Sequence, residues 1–185
     1  MPVQRSSSTT SNIGAGARSS FLAPVSSLVR RMLASREHVI EQRVWVRHPL
    51  KDVFPFFAPA ENLERLTPPE VGFRIMTPLP IEMKRGALID YTIKLFGFPL
   101  KWRTEITAWN PPNSFEDTQL RGPYAKWVHT HSFVEESGGT TIEDRVVYAL
   151  PFGVLGGIAH PIVARQLKRI FSYREKVLTA RFQLM

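Results

Sequence analysis

Two histidines, His129 and His131, stand two residues apart in the strand-like run Trp127-Val128-His129-Thr130-His131-Ser132-Phe133. Imidazole titrates near neutral pH, ligates metals and hydrogen-bonds carboxylates, so chemistry is sought here first. Alternate side chains of a strand share a face, which groups Trp127, His129, His131 and Phe133 against Lys126, Val128, Thr130 and Ser132. The same rule groups Ile142, Asp144, Val146, Tyr148 and Leu150, and leaves Glu143 and Arg145 for solvent. Phe115, Asp117 and Gln119 align, as do Trp102, Thr104 and Ile106, and also Ile89, Tyr91 and Ile93. If these sets face inward, the inner surface is aromatic and aliphatic, with Tyr91, Thr104, Asp117, Gln119, His129, His131, Asp144 and Tyr148 as its polar groups. Mostly apolar walls with a few convergent polar groups describe a ligand pocket. The expected ligand-contacting residues are these eight together with Trp102, Trp127 and Phe133.

A buried carboxylate needs a charged or donating partner, and the histidines are the nearest by face, so hydrogen bonds from His129 and His131 to Asp117 or Asp144 are expected. The same four residues are the candidates for catalysis. A His–Asp pair, or His with Tyr, can serve as general base and acid in an aldol cyclisation or dehydration. Binding is favoured over catalysis because the chain offers no nucleophile motif. No cofactor is expected: Gly153-Val154-Leu155-Gly156-Gly157 lacks the lysine and hydroxyl residue of a phosphate loop and reads instead as a hinge. No metal site is expected either. The i, i+2 histidine pair has no third ligand at a recognisable spacing, and the chain contains no cysteine.

The elements that must position these groups can be read from punctuation. Val39-Ile40 and Val44-Trp45-Val46 form a strand that His48-Pro49 closes. Leu50 to Phe57 suggests a short helix interrupted by Pro55, a second helical turn follows Pro59, and Thr67-Pro68-Pro69 stops it. Strand-like runs at 73–76, 87–96, 98–109, 115–120, 125–135 and 140–150 follow, separated by Gly, Pro and Asn signals, which reads as an antiparallel meander. From about Ile158 to Phe182, Ile162, Val163, Leu167, Ile170, Phe171, Leu178 and Phe182 repeat at helical spacing, with Arg165, Lys168, Arg169, Lys176 and Arg181 mainly opposite. The fold class is therefore α+β. A curved sheet cannot cover its own concave face, so the long helix must lie across it.

A net charge of +8 first suggests a polyanionic partner. Its distribution weakens that idea. Residues 1–36 hold five arginines and no acid, residues 151–185 carry +5, and the segment between carries −2. Basic residues of the last helix lack interleaved aromatics, so nucleic acid is not expected, whereas a transient contact with an anionic membrane is open. Residues 1–36 are expected to be a disordered or amphipathic basic tail, and 37–185 the ligand-binding domain. Within the tail, Phe21, Leu22, Val25, Leu28, Val29, Met32 and Leu33 make one helical stripe. Such an Arg- and Ser-rich, acid-poor stretch resembles an organelle transit peptide or a membrane-surface helix. With no apolar run of about 18 residues, a cytoplasmic location is expected, organelle import being the alternative.

The order of elements resembles the START-like superfamily, also called SRPBCC, and in particular its cyclase/dehydrase-like subgroup. Stretches that carry the resemblance are Leu66-Thr67-Pro68-Pro69, Gly86 to Tyr91, Trp102 to Ile106, Phe115-Glu116-Asp117, Gly122-Pro123-Tyr124, Trp127 to Phe133, Asp144 to Pro151 and Ile170 to Arg174. The resemblance covers about Glu37 to Phe182. It implies a helix-grip fold: a curved antiparallel sheet of about seven strands, two short helices after the first strand and a long C-terminal helix. The function it implies is binding or carriage of a small, largely apolar molecule of lipid, isoprenoid or polyketide type. The alternative is a polyketide cyclase or dehydratase working through pocket His, Asp and Tyr.

Overall fold

The computed structural model describes residues 35–95 and 97–183. Strand β1 (Glu37–Val46) leads into helix α1 (Leu50–Phe57) and two 3-10 turns, Ala60–Leu63 and Pro69–Val71. Strands β2 (Arg74–Ile75), β3 (Leu88–Leu95), β4 (Phe98–Asn110), β5 (Ser114–Arg121), β6 (Lys126–Glu136) and β7 (Gly139–Ala149) follow, and helix α2 (Val154–Gln183) ends the described chain. The expected tail stripe and targeting signal fall on residues 1–34, outside the described residues.

The strands form one antiparallel sheet in the order β1-β7-β6-β5-β4-β3-β2. After β1 crosses to the far edge, the order is that of a meander, as the turn signals require. The β6–β7 hairpin fixes the register that matters most. Ser137 and Gly138 both adopt left-handed φ, 53° and 73°, between the paired residues Glu136 and Gly139. Two such residues make the tight turn whose twist suits a hairpin. That register sets His131 opposite Asp144 and His129 opposite Val146. A slip of one residue would turn both histidines to the outer face.

Strand β4 bends at register shifts between Arg103 and Thr104 and between Ile106 and Ala108, which curl the sheet. Helix α1 fills one end of the concave face. Val53, Phe54 and Phe57 pack with Phe133, Ile142, Leu178 and Phe182. Each such burial contributes about 1.5–3 kcal/mol. A second cluster, Val146, Tyr148 and Leu150 under Leu167 and Phe171, fastens α2 to β7. Between these plugs the face is not filled.

Helix α2 starts four residues earlier than the stripe suggests, taking in Gly156 and Gly157. The glycines read as a hinge therefore lie in its first turns. A Cβ on Gly156 would run into the Pro151 carbonyl oxygen, so this glycine permits close approach of the helix to the end of β7.

Candidate functional site

The unfilled part of the concave face is a cavity of about 190 Å³ between the sheet, the α1 and 3-10 segment, and α2. Ile89, Ile93 and Ile106 of the sheet, Phe57, Leu63 and Leu66 of the short helical segment, and Leu167, Ile170 and Phe171 of α2 supply its apolar walls. Trp102, Tyr124 and Trp127 form an aromatic corner, with ring centroids 4.8–5.6 Å apart.

Two groups of polar atoms interrupt these walls. In the first, the Trp102 indole N–H donates to Thr104 Oγ1 at 3.1 Å, and the Tyr91 hydroxyl lies 3.4 Å from the same oxygen. Burial, then the charge of Asp117, raises the Tyr91 phenol well above its ordinary value, so it stays protonated and able to donate.

The second group is a chain of charged residues. Asp117 sits opposite His129 across β5 and β6, and its Oδ2 lies 3.3 Å from His131 Nε2 and 3.7 Å from His129 Nδ1. On the far side of both rings, Asp144 Oδ1 is 3.1 Å from His129 Nε2 and 2.7 Å from His131 Nδ1. Arg174, projecting from α2, places Nε 2.8 Å from Asp144 Oδ2. The angle there is poor for a hydrogen bond, so the contact is an ion pair. Asp144, His131 and Arg174 are all buried.

The titration directions follow from this geometry. Burial opposes charge on Asp144, but Arg174 and the two histidines outweigh it and hold the carboxyl well below its usual range. Burial likewise opposes charge on His131, and hydrogen bonds to Asp117 and Asp144 overcome it, raising that imidazole. For His129, burial and the neighbouring His131 prevail and lower it. Adjacent imidazoles pushed apart in this way can act as acid and base at one pH.

Of the residues expected from sequence, Tyr91, Trp102, Thr104, Asp117, Trp127, His129 and His131 line this cavity. Four others sit elsewhere. Asp144 lies behind the histidines and supports them. Phe133 is packed into the plug against Phe54 and Phe57. Gln119 turns to the neighbouring loop, donating to the Tyr124 carbonyl at 2.7 Å. Tyr148 meets His160 of α2, hydroxyl to Nε2 3.0 Å, and borders a second cavity beside β1. Alternation gives the face of Tyr148 correctly; where the helix crosses decides which side of it the hydroxyl emerges.

Arg174 and the short helical segment complete the site without having been singled out by sequence. Arg174 carries a signal nonetheless. It shares a stripe with Leu167, Phe171 and Leu178, so a guanidinium stands where the pattern calls for an apolar side chain. Asp117, His129 and His131 also bring one ligand-type atom each within 4.8 Å of one another, which the spacing along β6 alone does not show.

Solved structures share this architecture at low identity. The Zhui aromatase/cyclase from Streptomyces sp. R1128 superposes with a TM-score of 0.64 at 14% identity, covering 80% of this chain and 94% of that one. Norcoclaurine synthase from Thalictrum flavum, in complex with dopamine and hydroxybenzaldehyde, gives 0.57 at 14% identity over 94% and 98%. This chain has the helix-grip fold. The helix grip is also that of Ms6760 from Mycobacterium smegmatis, with a TM-score of 0.59 at 16% identity over 82% and 97%. No protein-family model matches the sequence, and no curated protein matches it. Fold alone assigns no chemistry, so function rests on the cavity.

Proposed function

We propose that this helix-grip domain binds and carries a small, largely apolar molecule in the cavity beneath α2, with the molecule's polar end at Asp117, His129 and His131. The observation that carries this reading is a partly open, mostly apolar cavity whose walls carry two groups of hydrogen-bonding atoms. Size narrows the class. An engineered apolar cavity of roughly 150 Å³ takes a benzene ring, so about 190 Å³ suits a guest of one or two rings rather than a whole acyl lipid. Support also comes from the norcoclaurine synthase complex, in which a protein of this fold holds two single-ring compounds. Native mass spectrometry on protein purified without detergent is the first test, followed by displacement of a fluorescent naphthalene probe. Ile170→Trp, which narrows the cavity from α2, is expected to weaken the probe at least about tenfold, or about 1.4 kcal/mol. An empty protein that ignores the probe, or a variant that binds it unchanged, counts against the reading.

A second reading is favoured by the imidazoles' opposite shifts: general acid–base catalysis of a cyclisation or dehydration, with His129 as base and His131 as acid. It requires that His129→Gln abolish turnover of a linear polyketide-type substrate while the thermal midpoint holds. For loading, we propose contact with an anionic membrane through α2, whose N-terminal half exposes both apolar and basic side chains. No described helix is long and apolar enough to cross a membrane.

A further inference from the structure

At the polar side of the cavity three ligand-type atoms are turned toward one another. Asp117 Oδ2 lies 3.3 Å from His131 Nε2 and 3.7 Å from His129 Nδ1. The two imidazoles come from alternate positions of β6, and the carboxylate comes from the facing position of β5. The opposite nitrogens of both rings turn to a single acceptor, Asp144 Oδ1, at 3.1 and 2.7 Å. Arg174 on α2 holds that carboxylate from its other oxygen at 2.8 Å.

We propose that Asp117, His129 and His131 form a binding site for one divalent first-row transition ion of the zinc or iron(II) type, open to the apolar cavity. Two imidazoles and one carboxylate are a donor set such ions take, and three protein ligands leave positions for water or an organic guest. The spacing is right for it. Bonds of about 2.0–2.2 Å at near-tetrahedral angles place ligand atoms roughly 3.4 Å apart; the two separations from Asp117 Oδ2 bracket that value, and all three atoms lie within 4.8 Å of one another, so a bound ion draws the two imidazoles together. The outer shell is also right. Metal-bound imidazoles characteristically donate their remote N–H to a carboxylate, and Asp144 stands where it accepts from His129 Nε2 and lies 2.7 Å from His131 Nδ1.

His131 Nε2 hydrogen-bonds Asp117 Oδ2 at 3.3 Å while its Nδ1 accepts from Arg174 Nη2 at 3.3 Å, so a proton bridges this imidazole and the Asp117 carboxylate. A cation at the centre displaces that proton. The two carboxylates outweigh the single Arg174 guanidinium, so a dication enters a site of net negative charge.

The test needs no organic ligand and no activity. The full chain, freed of metal by chelator dialysis, is titrated with Co²⁺ and followed by d–d absorbance. Zinc is then added in competition with a chromophoric chelator. One ion per chain with visible bands is expected. Asp117→Asn and His129→Gln should each raise the Kd by more than about 100-fold, and Asp144→Asn by about 10- to 100-fold. Thermal unfolding confirms that at least one of the ligand variants is folded. His38→Ala removes one of the stacked pair His38 and His160, centroids 3.6 Å apart beside the second cavity, and should leave the Kd unchanged. The absence of saturable binding at tens of micromolar overturns the proposal. So does a Kd that is unchanged in a folded Asp117→Asn or His129→Gln variant. Because the organic guest takes no part, failure here leaves the carrier reading standing, and failure of the carrier reading leaves this site standing.

Discussion

Arg174 is the residue on which the interior depends most. Its charge lies against Asp144, with Nη2 3.3 Å from His131 Nδ1 and the guanidinium over the Phe57 ring at 5.4 Å. Removing one member of a buried pair leaves the other charge stranded, at a cost of about 3–5 kcal/mol. Arg174→Met keeps the apolar stem and is therefore expected to destabilise by that amount in urea unfolding. Arg145→Met is the contrast. Its ion pair with Glu41 is solvent-exposed, and losing it should cost less than about 1 kcal/mol. Equal effects of the two substitutions would show that Arg174 does not hold the network. At this scale the sequence is legible wherever a face decides the answer. Alternation along β6 groups the histidines, and it places Asp144 on the same side through β7. Arg174 escapes because the basic face is read from Arg165, Lys168, Arg169, Lys176 and Arg181, and its own place on the stripe through Leu167, Phe171 and Leu178 passes unremarked.

Elements follow from punctuation more faithfully than contacts do. The Pro, Gly and Asn signals mark each turn of the meander, because these residues fix φ or free it where the chain reverses. The path of α2 is not encoded that way. Apolar periodicity gives its buried stripe from Leu167 onward, although Ile162 is exposed, but not its angle to the sheet, and that angle turns Tyr148 toward His160 rather than into the cavity. Two glycines separate turn chemistry from packing. At Gly139, the first residue of β7, a Cβ would strike the Val46 carbonyl oxygen and approach the Trp45 ring to 2.8 Å. Gly139→Ala is accordingly expected to cost about 1–3 kcal/mol by overpacking between β1 and β7. Gly157 sits exposed in α2 with no atom near the place a Cβ would take. Gly157→Ala should stabilise by about 0.5–1 kcal/mol, since alanine loses less entropy on entering a helix. Thermal or urea unfolding of both variants checks the pair. Should Gly157→Ala destabilise, the first turns of α2 are not the regular helix described here. Should it stabilise yet slow probe uptake, the glycines act as a hinge after all.

At the scale of the whole molecule, charge and apolar surface are unevenly spread. Phe152, Leu155, Ile158 and Ile162 are 78%, 70%, 72% and 60% exposed, and the last three recur on one side of α2. From Pro151 to Arg174 the chain holds no acid, and Arg165, Lys168 and Arg169 follow the apolar stripe directly. Arg169 is engaged with Glu70 at 2.7 Å, which leaves Arg165 and Lys168 as the cations to count. Apolar side chains entering the headgroup region beside cations describe an amphipathic surface helix, and each cation near an anionic leaflet contributes about 1 kcal/mol. Two of them therefore amount to roughly 30-fold in affinity, enough to separate lipid compositions by co-sedimentation. Vesicles of phosphatidylcholine with phosphatidylserine are expected to retain the protein, those of phosphatidylcholine alone to retain far less, and added salt to narrow the difference. Leu155→Glu with Ile158→Glu should release the protein from both while the cavity still binds its probe, because these exposed side chains do not line the cavity and lie about two turns or more before Gln166, Leu167 and Ile170, which do. Equal retention on charged and neutral vesicles would remove the electrostatic half of the argument. Undiminished retention of the double variant would remove the apolar half, and with both gone α2 would serve only to close the cavity.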